Sequence, residues 1–175
     1  MSRIAKIVPE NASTELKPIY EHIQSHMGKI PNIFQHMGQS APVLQAFLNL
    51  LDQTSNLSIS PNIRTKIALI TAETNKCHYC LSAHTAMAKL QAISDSDIAA
   101  ARLAQTQDAK ETALLKFAKT IVEKRGQLTD RDVEDAKKAG ITDKEIVEII
   151  FVVNINMFTN YFNHIVDTEI DFPKV

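Results

Sequence analysis

Only two cysteines occur in the 175 residues, so no multi-bridge disulfide framework can hold this chain together. The chain also lacks an excess of either charge. Lys+Arg 19 against Asp+Glu 20 leaves a formal net charge of −1, which offers no extended basic surface to a nucleic-acid backbone. No run of apolar residues reads as long enough to span a membrane, and Met1-Ser2-Arg3-Ile4-Ala5-Lys6 has no apolar core of a signal peptide. The expected compartment is therefore the cytoplasm, with neither nucleic acid nor membrane as partner. Strand-type alternation with hairpin turns is missing too, so the expected fold class is all-α, and the length suits one domain with one substantial core.

Both cysteines fall in one stretch, Glu73-Thr74-Asn75-Lys76-Cys77-His78-Tyr79-Cys80-Leu81-Ser82-Ala83-His84. In a reducing compartment a C-x-x-C pair is redox-active or metal-binding rather than a structural staple. Asn75 and Lys76 interrupt an apolar run, and a new helical pattern (Leu81, Ala83, Ala86, Met87, Leu90) begins directly after the cysteines. Cys80 is therefore expected in a first helical turn, where unpaired N–H groups and the helix dipole favour an anion, with Cys77 at or before the cap. His84 lies one turn beyond Cys80 and can accept its thiol proton, directly or through a water. Cys77 is placed to bridge to Cys80 once that sulfur is oxidised, and Glu73 can orient the histidine or pass on a proton.

Along the chain, Ser13 is a candidate N-cap of a helix that ends at Gly28, with Pro18 as the alternative start and with His22 and His26 on a face that reads as solvated. Gly28-Lys29-Ile30-Pro31 is a turn leading to a short apolar segment, and Pro42 opens a helix burying Val43, Leu44, Phe47, Leu48 and Leu51. Ser60 with Pro61 starts a helix to about Thr74 whose middle, Ile67-Ala68-Leu69-Ile70-Thr71-Ala72, is apolar nearly all round and must be central. Ser94 caps a short helix with Ile98 and Leu103. Asp108 caps one that stops at Gly126, Thr129 starts one that ends at Gly140, and Thr142 with Glu145 is a capping box for a last long helix. Asn154, Asn156, Asn160, Asn163 and His164 are threaded through the apolar residues of that helix, as a core or interface helix requires. Asn160 or His164 is the candidate to reach the cysteines.

Zinc is the competing use of C-x-x-C-x-x-x-H, but a fourth ligand would have to be His78, Glu73 or a remote residue. A thioredoxin-like reading needs a βαβ setting that a helical chain does not have. A catalytic thiol on a helical scaffold is the remaining chemistry.

The run Glu73 to His84 resembles the signature of the alkylhydroperoxidase D and carboxymuconolactone decarboxylase family. Gly28–Phe34 is similar to the segment ahead of the family core, and Phe158–His164 to its closing helix. The resemblance implies an alkylhydroperoxidase D-like helical protomer: an N-terminal extension over 1–40, a core over 41–125 and C-terminal helices over 126–175. It implies assembly as a homotrimer or homohexamer, with no metal and no organic cofactor. It also implies thiol peroxidase activity on a hydroperoxide, regenerated by a dithiol protein such as a thioredoxin-like or lipoyl-bearing one. By position the peroxide-reacting cysteine falls on Cys80, the resolving one on Cys77 and the histidine on His84. Tyr79 stands where the alkylhydroperoxidase D proteins carry a second histidine. Their relay glutamate falls near Thr65, whereas a related subgroup places one at Glu73. Decarboxylase members of the family work without the paired cysteines, and the pair here argues against that activity. The alternative function is a non-catalytic redox sensor or oligomeric binding protein in which the pair switches state without turnover.

Overall fold

The computed structural model describes residues 2–175. Among the described residues there are nine α-helices and no strand: α1 Leu16–Met27, α2 Asn32–Met37, α3 Ala41–Gln53, α4 Pro61–Thr74, α5 His78–Leu90, α6 Asp95–Arg102, α7 Ala109–Glu123, α8 Asp130–Lys138 and α9 Asp143–Val166.

Local chemistry sets most of the boundaries. Ser60, Ser94, Asp108, Thr129 and Thr142 each accept the third backbone N–H of the helix they precede, which satisfies one donor that the helix leaves unpaired. The boxes at Thr129 and Thr142 are closed reciprocally, by Asp132 and Glu145. Gly28 ends α1 at φ +72, a left-handed conformation that costs glycine little.

α4 is the hub, packed against α5, α6, α7 and α9. Residues Ile67–Ala72 are all buried, as an all-round apolar sequence demands. Two apolar clusters meet along it. One is built from α4, α6, α7, α8 and the first half of α9, around Leu69, Leu115, Ile149 and Val153. The other gathers α1, α2 and α3 over the start of α5, and it contains Leu16, Tyr20, Phe34, Phe47, Tyr79 and both cysteines. The N-terminal helices thus close one side of the cysteine region.

The loop ahead of α4 is pinned by a buried carboxylate. Glu148 of α9 accepts from Ser58 N, Ser58 Oγ and Ile59 N at 2.7–3.0 Å. Burial alone would raise its pKa, but these donors and Lys144 hold it below the usual range.

Several expectations change in the folded chain. Val43 faces outward from α3, Met87 and Leu90 face outward from α5, and Leu103 lies exposed just past the end of α6. α9 has 24 residues and is apolar enough by length and composition to cross a bilayer, contrary to the expectation that no segment reaches that length. It is nevertheless packed on α4, α5 and α7. His22 and His26 are exposed, as expected, and lie against each other with ring centroids 4.3 Å apart and His26 Nδ1 2.8 Å from the His22 carbonyl. No group of three metal-ligating side chains comes together among the described residues.

Candidate active site

The turn between α4 and α5 places the cysteines. Lys76 takes φ +56, and Cys77 N donates across the end of α4 to the Ala72 carbonyl at 2.9 Å, the bond that closes a helix with a left-handed residue. Cys77 is then the N-cap of α5 and Cys80 its third residue. The two are joined as a disulfide with Cα atoms 5.3 Å apart, within ordinary bridging distance. Each is 2% exposed.

The helix N-terminus does not single out Cys80, as its place in the first turn had suggested. The cap side chain receives the amide: Cys80 N donates to Cys77 Sγ at 3.4 Å. The Cys80 sulfur has a different donor, the Nδ2 of Asn163 at 3.3 Å. The residue of α9 that reaches the cysteines is therefore Asn163 and not Asn160 or His164. Asn160 Oδ1 accepts from Asn75 at 2.8 Å, and His164 is exposed, with its carbonyl taken by Arg3.

His84 follows Cys80 by one turn, as its spacing requires, in a half-buried position with Nδ1 enclosed and without a partner. Burial pushes its pKa down to about 4, against the opposing pull of the nearby Asn156 amide. Among the described residues no hydrogen bond joins Asn156 to the imidazole, and Asn156 Nδ2 donates to the Val152 carbonyl at 2.8 Å. With the sulfurs joined, the imidazole is neutral at physiological pH.

Glu73 is turned away from this centre. Its carboxylate pairs with Arg102 of α6 at 2.6 Å, and both side chains are about a third exposed. They line a surface hollow of about 230 Å³ with Ala99 and Leu103. Among the described residues no hydrogen bond joins Glu73 to His84 or to either sulfur. Thr65, near which the resemblance places the relay glutamate, is buried and has no ionisable group to offer. Tyr79, between the cysteines, points to the opposite side. Its hydroxyl donates to Asp171 at 2.8 Å and accepts from Ile33 N at 3.3 Å, and its ring meets Phe172 edge-on. Burial, with Asp171 beside it, drives the phenol well above its usual pKa. His78, one possible zinc ligand, is exposed.

Residues 41–123, the segment that contains α3 to α7 and both cysteines, match the model of the carboxymuconolactone decarboxylase family. This segment is similar to the core of that family. Solved structures extend the likeness over nearly the whole fold. An uncharacterized peroxidase-related protein from Ralstonia eutropha JMP134, described as an alkylhydroperoxidase AhpD core, superposes with TM-score 0.85 at 18% identity, covering 97% of this chain and 92% of that one. A peroxidase-related protein from Silicibacter sp. TM1040 gives 0.81 at 22%, covering 90% and 85%. The apo debrominase Bmp8 gives 0.82 at 22%, covering 97% and 92%. At these identities the likeness establishes the fold. No curated protein matches the chain.

Three side chains that bond to residues of the Glu73–His84 run were not legible from that run. Asn163 could have been found only by fixing the rotation of α9, which the motif does not contain. Arg102 carries no signal beyond its place in the last turn of α6, and Asp171 lies in an irregular tail.

Proposed function

We propose that this protein is a thiol-dependent peroxidase that reduces hydroperoxides with Cys80 and Cys77 and is returned to the dithiol by a dithiol donor. The observation that carries this reading is the sulfur pair itself: two cysteines joined across the first turn of a helix, with one sulfur facing a buried amide, in an alkylhydroperoxidase-like fold. In the reaction the Cys80 thiolate attacks the terminal oxygen of the hydroperoxide. An S–O bond forms, the O–O bond breaks, and the alkoxide leaves and takes a proton to become an alcohol. Cys77 then attacks the sulfenic sulfur of Cys80, forming the S–S bond and releasing hydroxide, which leaves as water once protonated. An external dithiol supplies the two electrons that reopen the bridge. Supports for a homo-oligomeric protomer are the family resemblance and an exposed apolar stripe on α9.

Steady-state turnover of cumene hydroperoxide, tert-butyl hydroperoxide and hydrogen peroxide, with thioredoxin or dihydrolipoamide as donor, tests the reading. Cys80→Ser should abolish the reaction. Cys77→Ser should give one equivalent of alcohol and then stop, with a sulfenic acid that dimedone traps. Turnover that survives Cys80→Ser refutes the assignment. The debrominase Bmp8, in a variant with one cysteine replaced by alanine, has been crystallised in complex with 2,3,4-tribromopyrrole, so that compound is a useful comparison electrophile for this chain's thiols.

A second reading, a redox switch with negligible turnover, is favoured by one observation: the sulfurs are 2% exposed. It predicts stoichiometric oxidation by hydroperoxide with no catalytic rate for any donor.

A further inference from the structure

α9 turns three asparagines, Asn156, Asn160 and Asn163, toward the cysteine side of the molecule at the i, i+4, i+7 spacing of one helix face, and all three are buried. Their neighbours differ. Asn156 lies against His84, Asn160 clamps Asn75 in the α4–α5 turn, and Asn163 faces the Cys80 sulfur. The Asn160–Asn75 bond fixes the register of α9 against the turn that carries the cysteines. At the far end Arg3 bonds the His164 and Ile165 carbonyls at 2.7 and 3.1 Å, tying down the last turn in which Asn163 sits.

The Asn163 amide is only half used. Nδ2 donates to Cys80 Sγ, while Oδ1 is buried with no partner. A buried acceptor left unpaired is a cost that a fold retains when another state of the molecule repays it. The disulfide sulfur carries no hydrogen, so it cannot repay it. The thiol and the sulfenic acid of Cys80 each carry one. A neutral amide is also the donor that the sulfur needs in its anionic state. The sulfurs are 2% exposed, the α5 amide is directed to Cys77, and the half-buried His84 imidazole, its pKa lowered, holds no resident positive charge.

We propose that Asn163 is a catalytic residue of the peroxide cycle, holding the Cys80 sulfur through its successive states: Nδ2–H donates to the thiolate, and Oδ1 accepts from the sulfenic hydroxyl. The inference rests on the thiol-peroxidase reading above and adds a residue outside the family segment to it. The amide changes no atom balance in the cycle; it lowers the charged sulfur before attack and shelters the S–OH group until Cys77 attacks. The ionisable groups on the packed elements are few. His84 and Cys77 lie on α5, and Glu73 is paired with Arg102 at the end of α4. His164 is exposed on the outer side of α9, and Asp171 of the tail is bonded to Lys29 and Tyr79.

The test uses the full chain carrying Cys77→Ser, so that Cys80 is the sole thiol, with and without Asn163→Ala. Thiolate absorbance against pH should show the Cys80 pKa rising by about one unit in the Asn163→Ala form, about a tenfold loss of thiolate near neutral pH. The rate of sulfenic acid formation with cumene hydroperoxide should fall by the same factor, and its lifetime before over-oxidation should shorten. In the reduced protein without substitutions, the side-chain amide signals of Asn163 in a nitrogen-15 spectrum should shift as Cys80 titrates, which reads the contact even if Asn163→Ala does not fold. A Cys80 pKa indifferent to Asn163→Ala, or amide signals that stay fixed through the titration, overturns the inference. A protein inert to every hydroperoxide, yet with the pKa shift intact, would refute the peroxidase reading and leave the amide–sulfur contact standing.

Discussion

At the scale of single residues, His84 sets a stability window. Its native pKa is about 4 against an ordinary 6.5, so between those values the unfolded chain binds a proton that the native site refuses. Stability from this group is unaffected above pH 7, falls as pH drops through 6.5 and is fully lost by pH 4. The cost is about 3 kcal/mol. His36 adds in the same direction. Burial lowers it first, its contacts to the Ala5 and Ile4 backbone oppose that, and Lys6 reinforces it. The carboxylates Asp132, Glu145 and Glu148 are held low and lose their contribution only at more acidic pH, as they protonate. Denaturant melts at pH 7 and pH 5 should therefore differ, and His84→Gln should reduce the difference without removing it, because His36 remains. An undiminished difference in His84→Gln would place the pH sensitivity elsewhere.

At the scale of elements, the C-terminal tail works as a latch over the cysteine cluster. Ile170 and Phe172 pack against the cluster that holds both sulfurs. Between them Asp171 bonds Tyr79 Oη at 2.8 Å, Asn32 N at 3.2 Å and Lys29 Nζ at 3.1 Å, while the Lys29 ammonium lies 3.9 Å above the Phe172 ring. Tyr79 is thus an anchor between the two cysteines, joining the start of α5 to the tail. With the sulfurs this deeply covered, a reductant reaches them only when the cover opens, and the latch belongs to the opening cost. Asp171→Ala should speed reduction of the disulfide by dithiothreitol by about tenfold, the equivalent of one or two net hydrogen bonds. Mass spectrometry of alkylated samples over time measures this rate, and an unchanged rate would show that the reductant enters by another route.

At the scale of the whole molecule, α9 presents Val147, Ile150, Phe158, Tyr161 and Ile165 to the outside, and α3 adds Val43 and Leu50. Phe158 stacks on Phe47 of α3 at 5.5 Å, so the two exposed faces adjoin. An apolar surface spread over two helices is more than a lone protomer usually leaves in water, and a closed symmetric assembly buries it without creating open-ended contacts. The protein should therefore run as a homo-oligomer by light scattering at micromolar concentration. Tyr161→Glu with Ile165→Glu should shift it toward the monomer while helix content is kept. A monomeric mass for the parent protein would refute this.

The sequence by itself determined most of the helices and the place of the cysteines, but not α2, which it offered only as a short apolar segment. Ser60-Pro61, Ser94, Asp108, Thr129 and Thr142 mark helix starts through bonds to residues three positions away, so no distant contact is needed to read them. The same locality put Cys77 and Cys80 across the first turn of α5, within reach of one another. The tertiary structure decided what surrounds them. One residue of helix is about 100° of rotation, so the packing of α9 chose Asn163 for the sulfur and sent His164 outward. Three residues back, about 4.5 Å along the axis, it gave Asn160 to Asn75. The fold also turned Glu73 to Arg102 and Tyr79 to Asp171, partners 29 and 92 positions away. Burial, which neutralises His84, is likewise a property of everything packed around a residue. Spacing along a chain records which groups can meet within one helix, whereas charge state and partners across helices depend on how the helices are rotated and covered.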